Sequence, residues 1–245
     1  MERRILNGVG AFAKFVFAPS IGALNPLFDT LDFFDDTAPH NAALNMAIDE
    51  ALLAEIARPL LRIYRWSRPS MSFGYFEKWE PVQTAHPQRE LVRRWTGGGI
   101  VPHGDDITYS LLVPKQHAFF QINAAESYCA IHASLAGTLS KLGFPAVVAG
   151  NNKEKISQSC FENPVRYDVL LNMSKIAGAA QRRTQRGLLH QGSIQNIPPV
   201  PRFASSFAAA IAGNVSQFEM PARISEAAVE LAKKKYGAES WLQKF

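Results

Sequence analysis

Three consecutive glycines, Gly97, Gly98 and Gly99, interrupt a β-type stretch of the chain and limit how that stretch can fold. The residues before them (LVRRW) and after them (IV) favour extended strands, so the run predicts a loop between two strands. Glycine costs backbone entropy on folding, but it tolerates positive φ and lets another group approach the backbone closely. The run therefore predicts either a strained turn or a site at which a ligand meets the backbone.

Charged side chains flank the glycine run, with Arg93 and Arg94 before it and His103 after it. Exposed backbone N–H groups in such a loop can bind a phosphate or a carboxylate. The run is not followed by the Gly-Lys-Ser/Thr of a Walker loop, and it does not match the G-x-G-x-x-G fingerprint. With these neighbours we favour a ligand-binding loop of another kind.

Hydrophobic periodicity predicts an α/β (α+β) fold in which mixed β-sheets are flanked by helices. Helical spacing is seen in residues 41–57, 124–142, 205–214 and 224–237, and in the first of these Asp49 and Glu50 are expected on the outer face. The segments of strand type are 59–66, 70–76, 91–95, 106–114, 144–149, 166–172, 174–183 and 187–195. No repeat or linker divides them, so residues 27–245 are predicted to form one domain.

Composition excludes several functional classes. With 47% hydrophobic and 19% charged residues the chain is not of the disordered type. The net charge of +5 is mildly basic and no Lys/Arg run is present, so nucleic acid is not an expected partner. No stretch reaches the roughly 18 apolar residues of a membrane span. Two cysteines, without metal-ligand spacing, indicate a reducing, cytoplasmic setting and no metal site.

Residues 1–26 loosely resemble a secretory signal, because two arginines precede an apolar run. Lys14 interrupts that run, however, and no small-x-small cleavage site follows it. We therefore expect a poorly ordered N-terminal extension, or a start site set too far upstream, rather than an export signal.

Two further residues are candidates for chemistry. Lys175 lies in the apolar strand SKIAGAAQRR just before Gly178 and Ala179, where it either reaches solvent or presents a cation to a carbonyl oxygen or phosphate. Cys160 lies in the polar segment QSCFENP, and a nearby cation would favour its reactive thiolate form. Cys129 is assigned to helix packing. His190, in LLHQGSI, is by default a core histidine.

These motifs occur in an order that resembles the biotin/lipoate A/B protein ligase family. The segments that carry the resemblance are NMAIDEALL, PSMSFGYF, RRWTGGGIVPH with ITYS, SKIAGAAQRR and LLHQGSI, between about Leu31 and Pro199. Within this family CFENPVRYDVLLNMSKIAG resembles the cysteine-dependent octanoyltransferases, in which a Cys-Phe pair precedes a Lys-Ile-x-Gly strand. Gly104 and the turn at residues 172–174 depart from the usual pattern, which puts donor preference in doubt.

The resemblance implies an acyltransferase that moves an octanoyl or lipoyl group from an acyl carrier protein thioester to the lysine of a lipoyl domain. The acceptor would be a glycine cleavage H protein or a 2-oxoacid dehydrogenase E2. Cys160 would be the nucleophile, and Lys175 would bind the carbonyl oxygen together with backbone N–H groups near Gly178 and Ala179. The protein is expected to act as a monomer and to require no cofactor.

The remaining candidate substrate contacts follow from the same resemblance. Gly97, Gly98 and Gly99 would form one wall of an acyl tunnel, and the segment containing Ser72 and Gly74 would form another. His103 would border the same site. Arg93 and Arg94 would meet an acidic carrier protein or acceptor domain at the surface.

Three alternatives remain open. The chain could be an ATP- and Mg-dependent lipoate–protein ligase that acts through an acyl adenylate, with Cys160 incidental. It could be an amidotransferase that moves the acyl group between two lipoyl domains. It could also be an inactive relative that binds an acylated partner as a scaffold.

Overall fold

The computed structural model describes residues 26–150 and 165–245 of the chain. Residues 1–25, which hold nearly all of the predicted extension, and Cys160 lie outside the described residues. The strands are β1 (Phe28–His40), β2 (Leu60–Trp66), β3 (Ser70–Phe73), β4 (Glu90–Arg93), β5 (Val101–His103), β6 (Ile107–Pro114), β7 (Ala146–Val148), β8 (Val169–Leu171), β9 (Ser174–Arg183), β10 (Gly187–Ile194) and β11 (Ala212–Gln217). The α-helices are α1 (Ala42–Glu55), α2 (Trp79–Ala85), α3 (Ala124–Lys141), α4 (Phe203–Ile211), α5 (Ala222–Leu231) and α6 (Glu239–Leu242).

The strands form a large mixed sheet and a small one. The large sheet has the order β11-β1-β2-β6-β10-β9-β8-β7, and the small sheet has the order β4-β3-β5. In the large sheet β1 pairs in parallel with β11 and β2, while the other neighbours are antiparallel. The predicted mixed sheets flanked by helices are confirmed.

The central strands of the large sheet are buried on both faces. Successive side chains of a strand point to opposite faces, so neighbouring leucines enter different cores. Leu61 and Leu111 pack with α3 and α4 on one face, whereas Leu60 and Leu112 pack with α1 and α5 on the other. This double cover explains why these strands read as continuous apolar runs rather than as alternating ones.

Asp49 was expected on the outer face of α1, and this prediction is wrong because the residue is completely buried. Its carboxylate accepts hydrogen bonds from the Arg62 guanidinium at 2.7 Å and from the Ser110 hydroxyl at 2.5 Å. Arg62, also fully buried, contacts Asp36 at 2.8 Å. Burial alone would lower the pKa of Arg62, but the two carboxylates outweigh burial and raise it.

The sequence does not predict β1, β11 or α2. Strand β1 carries the acidic segment LDFFDDT, a composition that is unfavourable in strands unless partners bind the carboxylates. Here Asp32 binds Arg58 and Asp36 binds Arg62, so the partners come from later residues. The C-terminal helix is also shorter than predicted, since α5 ends at Leu231 and a π-helical turn follows over Ala232–Tyr236.

Candidate active site

A cavity of about 690 Å³ lies between the two sheets, beside the glycine loop that joins β4 to β5. The residues that line it are Met46, Tyr64, Trp66, Ser72, Phe76, Glu77, Arg94, Gly98, Gly99, Ile100, Val101, His103, Thr108, Val165, Asp168, Lys175, Gly178, Ala179, Ala180, Gln191, Gly192 and Ser193. The small sheet and its loop contribute one wall, and β9 and β10 contribute the facing wall.

Close backbone packing accounts for Gly74, and a positive φ accounts for Gly98. A Cβ atom at Gly74 would lie 1.7 Å from the carbonyl oxygen of Gly98, so the loop rests directly on the residue that follows β3. Gly98 has a φ of +84°, a conformation that side-chain-bearing residues rarely adopt. Gly98 and Gly99 line the cavity as predicted, whereas Gly74 and Gly97 are not among its lining residues.

Arg94 holds the glycine loop from inside. Its Nη2 atom donates to the carbonyl oxygens of Gly97 at 3.0 Å and Gly99 at 2.8 Å, and its Nη1 atom donates to the Ser72 hydroxyl at 2.7 Å. The residue is 6% exposed and lines the cavity. The predicted surface role is therefore wrong for Arg94, which belongs to the cavity wall.

Arg93 points away from the cavity. It is fully buried, and its guanidinium donates to the backbone oxygens of Tyr75, Glu77, Trp241 and Leu242 at 2.6–2.9 Å. Side chains alternate along β4, which places adjacent arginines on opposite sides of the strand. The predicted role of Arg93 at a partner-binding surface is wrong, because this residue fastens the C-terminal segment to the small sheet.

Lys175 faces the cavity with Asp168 beside it. Its ammonium lies 2.8 Å from the Asp168 carboxylate, and both side chains are almost inaccessible to solvent. A Cβ atom at Gly178 would lie 2.8 Å from Lys175 Cε and 2.9 Å from its Nζ. Gly178 therefore leaves room for the lysine side chain in this position beside Asp168, and a larger residue there would displace the ammonium.

Tyr128 of α3 connects this ion pair to β9. Its hydroxyl donates to Asp168 at 2.8 Å and accepts the backbone N–H of Ala179 at 2.9 Å. Burial, followed by the neighbouring Asp168 charge, raises the pKa of Tyr128 well above its usual value, so the phenol remains a donor. Because the Ala179 N–H is bonded to Tyr128, the prediction that it would bind a substrate oxyanion is wrong for this arrangement.

His103 lies between a serine and a carboxylate at the cavity wall. Its Nε2 atom is 2.6 Å from the Ser72 hydroxyl, its Nδ1 atom is 2.8 Å from Asp106, and its ring stacks on Trp66 at 4.0 Å. Burial alone would raise the pKa of Asp106, but its interactions with His103 and with two hydroxyl groups outweigh burial and lower it. Asp106 thus remains an acceptor.

His190 is a core residue, as expected by default. It is fully buried in a chain of hydrogen bonds with Gln181, Tyr109 and His132. Burial lowers the pKa of His132 to about 4, and burial together with the His132 charge lowers the pKa of His190 well below its usual value. Both imidazoles are therefore neutral at physiological pH.

Comparison with known proteins gives the family. A family model described as the lipoyl protein ligase A/B catalytic domain matches residues 41–214. The chain belongs to this family. It is 37% identical over 171 residues to the octanoyltransferase LipM of Oceanobacillus iheyensis, a match that covers 66% of this chain and 62% of the relative. It is 39% identical over 170 residues to the octanoyltransferase LipM of Carboxydothermus hydrogenoformans, covering 66% and 63%.

The matches span less than two-thirds of the length of these curated relatives. Solved structures agree on the fold. A lipoate-protein ligase A bound with ATP has a TM-score of 0.68 at 20% identity and covers 86% of this chain and 98% of its own. A bipartite lipoate protein ligase from Thermoplasma acidophilum has a TM-score of 0.61 at 18% identity and covers 86% and 95%.

The family fold brings together most of the predicted site residues. Those that line the cavity are Ser72, Arg94, Gly98, Gly99, His103, Lys175, Gly178 and Ala179. Sequence reasoning missed Asp168 and Tyr128, and it noted Gln191 beside His190 without assigning it a role. Asp168 gave no signal, since a Tyr-Asp pair before a strand is common, and Tyr128 lies inside a predicted helix whose periodicity does not single it out.

Gln191 links the cavity to the buried charges beneath it. Its side chain donates to Asp49 at 2.8 Å and accepts from the Thr96 hydroxyl at 2.7 Å, just before the glycine loop. Among residues 26–150 and 165–245 no group of three His, Cys, Asp or Glu side chains is arranged to hold a metal ion. Over the same residues no helix has the length and apolar character of a membrane span.

Proposed function

We propose that this protein transfers an octanoyl group from an acyl carrier protein thioester to the lysine of an apo lipoyl domain, through an acyl-Cys160 intermediate. The observation that carries the proposal is the Lys175 ammonium, held by Asp168 over Gly178 and facing the glycine loop across the cavity. The octanoyltransferase names of the relatives support the same reaction.

The chemistry needs a nucleophile, a cation for the carbonyl oxygen and an apolar space for the acyl chain. An ammonium has three N–H donors, and Asp168 fixes the direction of one of them. The cavity contains apolar surface from Met46, Ile100 and Val165 for an eight-carbon chain. Val165 is five residues after Cys160 in the sequence, which supports placing the nucleophile at this cavity.

In the first step the Cys160 thiolate attacks the carbonyl carbon of the donor. A new C–S bond forms, the bond to the carrier thiol breaks, and the released sulfur takes up the proton that Cys160 had lost. Negative charge develops on the carbonyl oxygen during attack, and Lys175 stabilises it electrostatically.

In the second step the amine of the acceptor lysine attacks the acyl-cysteine. A C–N bond forms, the C–S bond breaks, and the proton lost by the amine returns to the Cys160 sulfur. Exchange between thioesters is nearly isoenergetic and the amide is more stable than either, so the sequence of steps consumes no ATP and needs no bound cofactor.

Intact-protein mass spectrometry after mixing the chain with octanoyl–acyl carrier protein, without ATP, tests the proposal. We expect one added octanoyl group, absent in Cys160→Ser and retained in the matched variant Cys129→Ser. An adduct in both variants, or labelling that appears only with ATP, free octanoate or lipoate and an apo lipoyl domain, would overturn the proposal. The latter result would favour the ligase alternative.

The role of Lys175 is tested by the rate of the same acylation. Lys175→Met should slow it by about 10²–10³-fold, the usual effect of removing one oxyanion donor. Lys115→Met provides the control, because Lys115 is an exposed lysine bonded to Gln185. A Lys175→Met rate equal to that of the control would remove Lys175 from the mechanism.

A further inference from the structure

Four side chains form a continuous series of hydrogen bonds from the glycine loop to the edge of the cavity. Arg94 contacts Ser72, Ser72 contacts His103 and His103 contacts Asp106, with distances of 2.7, 2.6 and 2.8 Å. Ser72, Arg94 and His103 are at most 6% exposed, and the Asp106 side chain is 2% exposed. We refer to these four residues as the cavity chain.

The direction of donation along the cavity chain follows from its two ends. A guanidinium can only donate, so the Ser72 oxygen accepts from Arg94, and with a neutral imidazole the Ser72 hydroxyl donates its hydrogen bond to His103 Nε2. The Nδ1 atom of His103 then carries the ring N–H, which donates a hydrogen bond to Asp106. Every member is thereby held in one orientation, and a wrong tautomer of the histidine would leave the serine proton without an acceptor.

The far end of the cavity chain is the loop itself. The second terminal nitrogen of Arg94 donates to the carbonyls of Gly97 and Gly99, one on each side of the positive-φ residue Gly98. The guanidinium therefore fixes the shape of the loop at two points. The orientation of the Arg94 guanidinium depends on its hydrogen bond to the Ser72 oxygen. The orientation of the Ser72 hydroxyl depends in turn on its hydrogen bond to the His103 imidazole.

We infer that His103 is a positioning residue, which sets the glycine loop through Ser72 and Arg94 and makes no bond to substrate. The same three residues, Ser72, His103 and Asp106, have the connectivity of a nucleophilic triad. However, the Ser72 oxygen accepts a charge-assisted hydrogen bond from Arg94, which engages one of its two lone pairs and lowers its nucleophilicity. The geometry therefore points to loop positioning.

Hydrogen exchange of the full chain, measured by mass spectrometry, tests this inference without relying on acyl transfer. Ser72→Ala and His103→Leu should accelerate exchange of the amides of residues 95–100 by about tenfold, with α3 and β10 unchanged. Ser134→Ala is the matched control, since Ser134 is a buried serine whose hydroxyl contacts only its own helix backbone among the bonds described.

The conservative variants separate positioning from general destabilisation. Ser72→Thr keeps the hydroxyl and should exchange at residues 95–100 within about twofold of the wild type, whereas Ser72→Ala should not. Unchanged loop exchange in Ser72→Ala, or equal acceleration in α3 and β10, would overturn the inference. So would covalent labelling of Ser72 by a fluorophosphonate probe, because that would show a nucleophile. Failure of Cys160 acylation would leave this result untouched, so the two proposals fail independently.

Discussion

Two hydrogen-bonded histidine chains lie on different sides of β6 and differ in what terminates them. The cavity chain runs from a guanidinium to a carboxylate at the glycine loop. The second, which we call the core chain, comprises Gln181, His190, Tyr109, His132 and the Tyr167 carbonyl oxygen, and begins at an amide and ends at a backbone oxygen. Only the cavity chain has charged ends.

The core chain also has one direction of donation. The Tyr167 oxygen can only accept, so His132 donates from Nδ1 and accepts the Tyr109 proton at Nε2. His190 then donates to Tyr109 and accepts from Gln181. The core chain holds no formal charge, and it connects α3 to three strands in the apolar interior. The charge-assisted hydrogen bonds of the cavity chain instead hold the glycine loop beside the cavity.

The strongest way to break the core chain is Gly192→Ala. A Cβ atom there would lie 2.3 Å from the Tyr109 ring, so the tyrosine that bridges both histidines has to move. We expect a loss of about 3 kcal/mol or more in the free energy of unfolding, measured by urea denaturation. Gly74→Ala, whose Cβ would meet the loop backbone at Gly97 and Gly98, should reduce acylation far more than global stability. Equal losses of stability in both variants would erase the distinction.

Removal of one hydroxyl compares the two chains more gently. Tyr109→Phe leaves His132 Nε2 and the His190 N–H without their partner in a fully buried site, so we expect a destabilisation of about 2 kcal/mol. Ser72→Ala in the cavity chain should cost less, because the cavity admits water to the groups left behind. Urea midpoints of both variants measure this difference, and the reverse order would contradict the comparison.

Lowering the pH should reduce the free energy of unfolding through the core chain, by a smaller amount than Gly192→Ala or Tyr109→Phe. The pKa of His132 is about 4 in the folded protein and roughly 6.5 when unfolded, so its stability contribution is complete above pH 6.5 and is lost as the pH falls towards 4. Linkage gives a loss of about 1 kcal/mol in unfolding free energy between pH 7 and 5.5 for this residue. The lowered pKa of His190 acts in the same direction.

Denaturant titrations at several pH values measure this slope, and His132→Leu should make it shallower. The carboxylates Asp36 and Asp106 have lowered pKa values, so their contributions are lost only below about pH 4 and do not affect this range. An identical slope in wild type and His132→Leu would show that the pKa of His132 is the same in the folded and unfolded chain, which would contradict its lowered pKa.

The helices and strands that depend on the local sequence pattern could be predicted from that pattern. The central strands, α1, α3 and the lysine strand follow from hydrophobic period and stop signals, such as Gly143 with its φ of +95° after α3. The glycine run was recognisable from its neighbours Arg93, Arg94 and His103, and Lys175 from its apolar strand just before Gly178. Family resemblance supplied the order of the motifs, and the fold confirms it.

Other features depend on partners that are distant in the sequence. Asp49 is buried because Arg62 and Ser110, which lie on two different strands, donate hydrogen bonds to its carboxylate. The hydrophobic period of α1 cannot predict these partners. Arg93 and Arg94 are adjacent and chemically identical, yet one holds the C-terminal segment and the other the loop. The Ala179 N–H is occupied by Tyr128 from a helix 51 residues earlier. Such pairings are set by tertiary structure alone.

The attachment of Arg93 to the C-terminal segment has a consequence for protein synthesis. Two of its backbone acceptors, Trp241 and Leu242, are translated nearly 150 residues after it. Until they leave the ribosome, a guanidinium that is completely buried in the finished protein lacks those acceptors. The strand leading into the glycine loop therefore reaches its final geometry only after residues 241 and 242 have emerged, and until then the loop lacks this support.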